Sequence, residues 1–516
     1  MKTKTYIDFI FLIILGIGTS FSLPPFNYLM INFLTFSLLF LFLIKKSKIH
    51  RSRKLFFFYG WFFGFGYFIS NLYWISISLT FDQNFKFLIP LTLILIPLFL
   101  AIFYGMITLV FIILKSEKII ISFLVFSLIF AILEFLRGSI LTGFPWNLIA
   151  FSFSNYLEIL SITSIIGTYG FNLFCISLFV SPAIIILKNS KRDLGAPIFF
   201  IIFFILFYSY GSFYKNKFYK AEKEFYDYKL RVIGSNISLN RFYLNTDTVS
   251  IIEDLIKISN PNINEKIVFV WPEGILPDVS QEELSKYNWL FDKNFNENHL
   301  LIIGINKHSI TSGHEDHFNT FSVYDNKLNL LNSYNKINLV PFGEFLPFEN
   351  ILKKVGLRSI TNNYQSFSSG DQRNIIEIKK QKFLLKILPL ICYEIIYSGR
   401  LFDDPDFDLI VNISEDGWFG KSIGPKQHFE HSILRAIESG KYVLRSSNNG
   451  IAAIINPVGA VEQIVNFGET GYIDFKESKK IQPTIFSKYG NKIFLLLILL
   501  YIFLIFSFNR IKNEQS

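Results

Sequence analysis

The sequence predicts a polytopic α-helical membrane domain of about eight spans, joined to an extracytoplasmic α/β domain. Three observations predict it. The 516 residues are 51% hydrophobic with a mean hydropathy of +0.38, too apolar for an ordinary soluble chain. The apolar residues are also segregated: long runs reach about residue 213, a much more polar stretch follows, and Lys492 to Phe508 is apolar again. Finally, lysine and arginine are sorted between alternate loops, as they are in chains threaded through a bilayer.

Seven spans of bilayer length are predicted near 6–22, 27–44, 55–76, 87–114, 119–136, 158–187 and 195–212, and an eighth near 491–508. The fourth and sixth are long enough to tilt or to contain a break. No small-residue cleavage site follows Phe21 and the second span begins almost at once, so the first span reads as a membrane helix and not as a signal peptide. One set of loops holds Lys2 and Lys4, then Lys45 to Lys54, Lys115 and Lys118, Lys188 to Arg192, and finally Arg510 and Lys512. The loops near 23–26, 77–86 and 137–157 hold almost none. This bias predicts cytoplasmic termini and an exported polar region, a parity that eight spans satisfy. It also accounts for most of the net charge of +10, so nucleic acid is not implied as a partner.

Within the membrane part, Glu134 stands near the end of the fifth span, where a carboxylate is a functional candidate, although pairing with Arg137 at i+3 explains it equally well. The following Gly143 to Asn147, GFPWN, reads as an outer loop dipping toward the interface, with Trp146 at headgroup level.

The domain boundaries expected are 1–213 for the membrane helices, 214–228 for a charged linker, 229–485 for the α/β domain and 486–516 for the last span and tail. Predicted strands are Leu230–Ile237, Ile267–Trp271, Leu300–Asn306, Thr320–Tyr324, Phe383–Ile391, Leu409–Ile413, Tyr442–Arg445 and Ile451–Ile455. Predicted helices are Val249–Ile258 and Gln427–Ser439. Such an alternation suits one layered domain with a proper core.

Only two cysteines occur, Cys175 inside the sixth span and Cys392 in the polar region. They cannot pair across the membrane boundary, so an exported domain would carry one unpaired thiol in an oxidising compartment. Cys392 ends the apolar run Phe383–Ile391, and Tyr393 to Ile396 reads as a first helical turn. Free backbone N–H groups there favour a thiolate and can hold an oxyanion. A small buried hydrophobe remains the alternative. Glu273, in VWPEG, and Lys336, in SYNKINLVPFGEF, each fall beside a strand end, and Glu344 follows a Pro-Phe-Gly turn. A carboxylate can take a thiol proton, while a lysine ammonium favours both thiolate and tetrahedral oxyanion.

With Glu273, Lys336 and Cys392 in that order, the chain resembles the nitrilase superfamily, and more closely its membrane-embedded branch, the apolipoprotein N-acyltransferase family. The matching segments are RGSILTGFPWN, VWPEG, YNKINLVPFGEFLPFE, ICYE, VNISEDGWFG and GPKQHFEHSILRAIESGKYVLRSSNNGIAAIINPVG. The resemblance implies an αββα sandwich for the exported domain and a Glu-Lys-Cys triad of Glu273, Lys336 and Cys392. It further implies that Glu344 and Glu394 are required carboxylates, that Tyr393 and Trp418 belong to the site, and that Asn412 and Asn448–Asn449 shape its floor. Two segments depart from the usual pattern: Glu415 replaces a smaller polar residue, and the first strand ends in GSNISLN.

The implied reaction takes an acyl chain from a phospholipid onto Cys392 as a thioester and passes it to the N-terminal amine of a diacylglyceryl-modified apolipoprotein. The implied location is the inner membrane, with the catalytic domain periplasmic. No cofactor is expected and no metal set is read: His428 and His431 are three apart without a third ligand, which suggests a helix surface. The rival readings are a membrane-anchored amidase of the same superfamily and a catalytically dead lipoprotein-binding homologue.

Overall fold

A computed structural model describes residues 2–188, 190–243, 247–311, 314–349, 354, 366–380, 383–402 and 405–510. Lys512, counted above among the inner-loop cations, lies outside them. Among the described residues seven helices are long and apolar enough to cross a membrane: Met30–Ser47, Arg53–Thr80, Gln83–Leu114, Ile119–Arg137, Thr163–Leu187, Lys191–Lys220 and Lys492–Arg510. The first helix, Lys2–Ser20, contributes a shorter apolar stretch, Thr5–Ser20. Helices pack closely where side chains are missing. A Cβ on Gly16 would strike the backbone of Phe63, and one on Gly66 the backbone of Ile13, so the first and third helices cross nearly backbone to backbone.

The sixth predicted span does contain a break. A short helix, Leu157–Leu160, precedes Thr163–Leu187, and Gly167 sits inside the latter at φ +68, with Phe486, just before the last helix, filling the space a side chain would need. Where the sequence suggests a linker from Tyr214, the helix instead continues to Lys220 and the first strand begins at Lys223. The physical reason is that Lys215, Lys217 and Lys220 extend the helix beyond its apolar part, and Lys215 pairs with Glu158 at 2.8 Å.

Among the described residues the remaining chain forms twelve strands: β1 (Lys223–Ser235), β2 (Ile267–Val270), β3 (His299–Thr311), β4 (His314–Asp325), β5 (Leu330–Asn335), β6 (Ile376–Lys380), β7 (Phe383–Ile391), β8 (Leu409–Glu415), β9 (Tyr442–Asn448), β10 (Ala452–Ile455), β11 (Val461–Val465) and β12 (Gly471–Lys479). They hydrogen-bond in the order β5-β4-β3-β2-β1-β9-β8-β7-β6, with β12 on β1 and β10 between β9 and β11. Neighbours β3-β2-β1-β9-β8-β7 run parallel.

Alternation explains the layers. In β2, Val268 and Val270 enter the core between the two halves of the sheet, while Ile267 and Phe269 face the helix Thr248–Ser259. In β8, Leu409, Val411 and Ile413 face the same inter-sheet core, and Ile410 faces the opposite layer with the helix Gly424–Ser439 and the membrane helices. The result is an αββα sandwich, the nitrilase-like arrangement, seated on the membrane domain through its second helical layer. Gln427 fastens that seat. Its Oε1 accepts from Trp74 Nε1 at 3.2 Å and Trp146 Nε1 at 2.9 Å, and its Nε2 donates to the Pro24 carbonyl at 3.2 Å.

Trp146 is held by this contact and does not face lipid as an aromatic-belt residue would. Trp146 is 3% exposed, stacked on His428 with centroids 5.3 Å apart. The GFPWN loop is drawn inward because Tyr393 and Tyr397 donate to the Gly143 and Thr142 carbonyls at 3.0 and 2.8 Å. Glu134 and Arg137 pair at 2.5 Å, both buried, and Arg137 also donates to the Phe144 carbonyl. The pairing account of Glu134 is therefore the one with direct contacts, and it anchors the base of that loop.

Candidate active site

The parallel strands β2, β7 and β8 end on one side of the sheet, and the residues that follow them meet there with the start of the segment after β5. Glu273 follows β2, Lys336 follows β5, and Cys392 follows β7. Cys392 heads a single 3-10 turn, Cys392–Ile396, and adopts φ +49, a left-handed conformation that a residue with a side chain enters only when its surroundings impose it. The first helical turn expected after the strand is thus one tight turn only. Proton-bearing and charged groups crowd around it, and all of them are buried.

Lys336 Nζ donates to Glu273 Oε1 at 3.1 Å and to Glu344 Oε1 at 2.9 Å. Asn319, on β4, reaches the same two oxygens through Nδ2 at 2.7 and 2.9 Å. The outer oxygens are held by the backbone: Glu415 N–H donates to Glu273 Oε2 and Val340 N–H to Glu344 Oε2, both at 2.9 Å. Burial opposes the charge on Lys336, but Glu273, Glu344 and Cys392 outweigh it and hold the ammonium well above the usual lysine range. For Cys392, burial and then Glu273 push the thiol well up, while Lys336 pulls it down.

Glu394 stands apart from that cluster. Its Oε1 accepts from Tyr334 OH at 2.6 Å, Arg373 Nη2 at 2.5 Å and the Ile337 and Asn338 amides at 3.1 and 3.2 Å, while Oε2 accepts from the Ile391 amide at 2.9 Å. Burial raises this carboxyl, yet Arg373 and the Tyr334 hydroxyl prevail and hold it below the ordinary range. Glu394 therefore ties the strand end before Cys392 to the segment carrying Lys336.

Beneath the thiol, His428 Nε2 is 3.2 Å from the Cys392 carbonyl and its Nδ1 is 2.9 Å from Asp416 Oδ1. Arg445 donates to both Asp416 oxygens at 3.0 and 2.8 Å and to Asn412, whose Nδ2 donates to the Leu390 carbonyl at 3.2 Å. His428 and His431 are 0% and 1% exposed, so the helix-surface expectation for them is wrong: their helix is covered on both sides, by the sheet and by the membrane helices. Cys392, Asp416 and His428 bring ligand atoms within 4.8 Å of one another, but the Arg445 guanidinium already neutralises Asp416, which makes the position a poor one for a cation.

Trp418 follows Asp416 in a second 3-10 turn and is half-buried at the edge, 5.0 Å from Phe242 and 6.1 Å from Phe81 between ring centroids. The departure at Glu415 has a partner: the buried Arg241 pairs with its carboxylate, and Asn448 and Asn449 donate to it at 2.7 and 3.3 Å. Arg241 directly follows the other departing segment, GSNISLN, which brings the two departures together in space.

The structure thus brings Glu273, Lys336, Glu344 and Cys392 together, sets Glu394, Tyr393 and Asn412 around them, and leaves Trp146 and Glu134 on the membrane side. Asn319, Asp416, His428, Arg373 and Arg445 escape a reading of the sequence. Arg445 has a signal, a charge directly after the apolar start of a strand, Tyr442–Leu444; Asn319, inside a polar hairpin, has none.

Two family descriptions match the sequence: apolipoprotein N-acyltransferase N-terminal domain over residues 15–181 and carbon-nitrogen hydrolase over residues 268–475. An apolipoprotein N-acyltransferase of Rickettsia prowazekii is 32% identical over 99% of this chain and 100% of its own length. Another, of Rhodopseudomonas palustris, is 28% identical over 92% and 90%. A solved nitrilase-superfamily protein of Saccharomyces cerevisiae covers 49% of this chain and 90% of its own, at 16% identity and a TM-score of 0.33.

Proposed function

The chain belongs to the apolipoprotein N-acyltransferase family, and we propose that it moves a fatty acyl chain from a membrane phospholipid to the N-terminal amine of a diacylglyceryl-modified apolipoprotein, through a thioester on Cys392. The observation that carries the proposal is the single lysine shared by two buried carboxylates beside a cysteine at the head of a strained turn.

The chemistry follows from charge. With a neutral thiol, Glu273, Glu344 and Lys336 sum to one negative charge. Simple loss of the thiol proton to water would make that two in a buried place, which is why the thiol is held high. Transfer of the proton to Glu273 as the bond to the phospholipid ester forms leaves the cluster charge unchanged, so Glu273 is assigned the general base. Negative charge then develops on the ester oxygen. Lys336 and the Tyr393 amide, at the head of the turn, are assigned to meet it. Collapse expels the lysophospholipid, with its proton returned from Glu273, and leaves the thioester. The amine of the acceptor attacks next, Glu273 takes its proton, and the thiol is restored.

Glu344 is assigned the task of holding Lys336, and Glu394 that of holding the turn. Asp416, His428 and Arg445 brace the Cys392 carbonyl from below. The proposed setting is the inner membrane, with the exported domain periplasmic and both termini cytoplasmic. Because donor and acceptor are both lipid-anchored, confinement to one surface raises their effective concentration.

The test is acylation of a diacylglyceryl lipopeptide by the purified protein in detergent with phospholipid. Wild type should give N-acylated product, Cys392→Ala none, and Cys392→Ser at most traces because a hydroxyl ionises far less readily. Release of free fatty acid without acylated peptide would favour the amidase-like hydrolase, and binding without turnover the inactive homologue.

A further inference from the structure

Away from the acyl-transfer site, the distal part of the β3–β4 hairpin gathers two imidazoles and a carboxylate. His308 and His317 are direct partners in the antiparallel ladder, with ring centroids 4.6 Å apart and ring planes at 84°. Glu315 lies two residues before His317, so the two-residue period of a strand puts all three side chains on one face. One ligand atom from each lies within 4.8 Å of the others. Cross-strand proximity alone would be unremarkable for exposed side chains.

His317 supplies the second observation. It is only 9% exposed, and its Nδ1 has no hydrogen-bond partner. Its Nε2 is 3.8 Å from Glu315 Oε1, beyond hydrogen-bond reach. The buried imidazole thus turns Nε2 toward a carboxylate that does not bond it, while its other nitrogen, Nδ1, has no partner either.

We propose that His308, Glu315 and His317 bind a divalent transition-metal ion, with Zn2+ the best chemical match. Imidazole nitrogen with one carboxylate suits zinc, whereas calcium and magnesium require mostly oxygen ligands. Metal–ligand bonds of about 2.0–2.2 Å require the three ligand atoms to close in from their present spacing. The exposed His308 and Glu315 side chains can turn to do so, while the buried His317 stays fixed. Three protein ligands leave a fourth position for water.

The ion would pin a strand that serves the active site. Two residues beyond His317, on the same face of β4, Asn319 holds Glu273 and Glu344. The His317 carbonyl accepts from the Ser368 amide at 2.7 Å, and the neighbouring Phe367 amide donates to the Glu344 carbonyl at 2.7 Å. The metal therefore fixes the outer end of the strand whose inner end orders the carboxylates.

The test uses tag-free, full-length protein in detergent, stripped with a chelator, and titrated with Zn2+ against a chromophoric competitor; Co2+ substitution reports geometry by its visible bands. Wild type should bind one equivalent. His308→Ala and His317→Ala should each weaken binding by at least tenfold, and the same titration in Cys392→Ala should be unchanged. His308→Ala, an exposed substitution, should unfold at the same temperature as metal-free wild type, which shows that the domain remains folded. No stoichiometric binding, binding unaffected by either histidine substitution, or binding lost in Cys392→Ala would each overturn the proposal.

Discussion

Replacing Glu394 by glutamine perturbs the support of the nucleophile without touching the reacting atoms. Four donors converge on Oε1 and one, the Ile391 amide, on Oε2. The glutamine carbonyl will take the four-donor side, which sets its NH2 group against the Ile391 N–H. That unanswered amide costs about 1–3 kcal/mol, and the change from a charged to a neutral acceptor opposite Arg373 about 1 kcal/mol more. If all of this displaced Cys392, the next residue in the chain, about 2–4 kcal/mol would slow the chemistry roughly 30- to 900-fold, at 1.36 kcal/mol per decade. Because both half-reactions use the same cysteine and the same turn, both should slow together. Acyl adduct and acylated lipopeptide are followed by mass spectrometry over time, with thermal unfolding as the control for folding. Adduct formation at the wild-type rate with transfer alone abolished would refute this reasoning and give Glu394 a role in the second half-reaction.

Lys336→Arg should lose acylation by about 100-fold or more, because a planar guanidinium cannot replace a compact ammonium held at 3.1 and 2.9 Å from two carboxylates; near wild-type product would return Lys336 to a structural role. Iodoacetamide should modify Cys392 slowly at neutral pH and faster as pH rises, since burial and Glu273 hold the thiol up; a rate already at its plateau at pH 7 would contradict it. Asp416 is held well below the carboxylate range despite burial, by Arg445 and His428. Its stabilisation is therefore present above the unfolded value of about 3.9 and lost as pH falls through the lower folded value. Asp416→Asn should thus be less stable than wild type at pH 7, with the gap narrowing below about pH 4; a constant gap in denaturant titrations would contradict the assignment. A membrane-impermeant thiol reagent should reach a cysteine placed at Asn329 from outside but not one at Ser47, and the reverse would overturn the orientation.

The fold was legible where burial imposes a period. Strands β2, β7 and β8 are short and largely apolar because most of their residues face a core, so they stand out against polar turns. Val461–Val465 and Gly471–Lys479 are half exposed, carry charges and read as loops; their pairing with β10 and β1 supplies what their composition lacks. Lys215 to Lys220 suggest a linker because they look like solvent, whereas a helix emerging from a membrane can carry such residues on its turns. Glu273, Lys336 and Cys392 were visible as chemistry-bearing groups at strand ends. Their supports were not: Asn319, His428 and Arg445 meet the site from three strands and helices that are distant in sequence, and no local pattern encodes a distant partner. Trp146 was read from its neighbours in sequence alone, and Gln427, some 280 positions away, decides where it sits.

The account stands on a covalent acyl-enzyme at Cys392. Intact-mass analysis of the purified protein after exposure to phospholipid, without any acceptor, measures that directly. One fatty-acyl increment should appear on wild type, map to Cys392 by peptide analysis, vanish on addition of a diacylglyceryl lipopeptide, and be absent from Cys392→Ala. An unmodified wild-type mass under conditions where the lipopeptide is acylated, or an adduct that persists in Cys392→Ala, would contradict it.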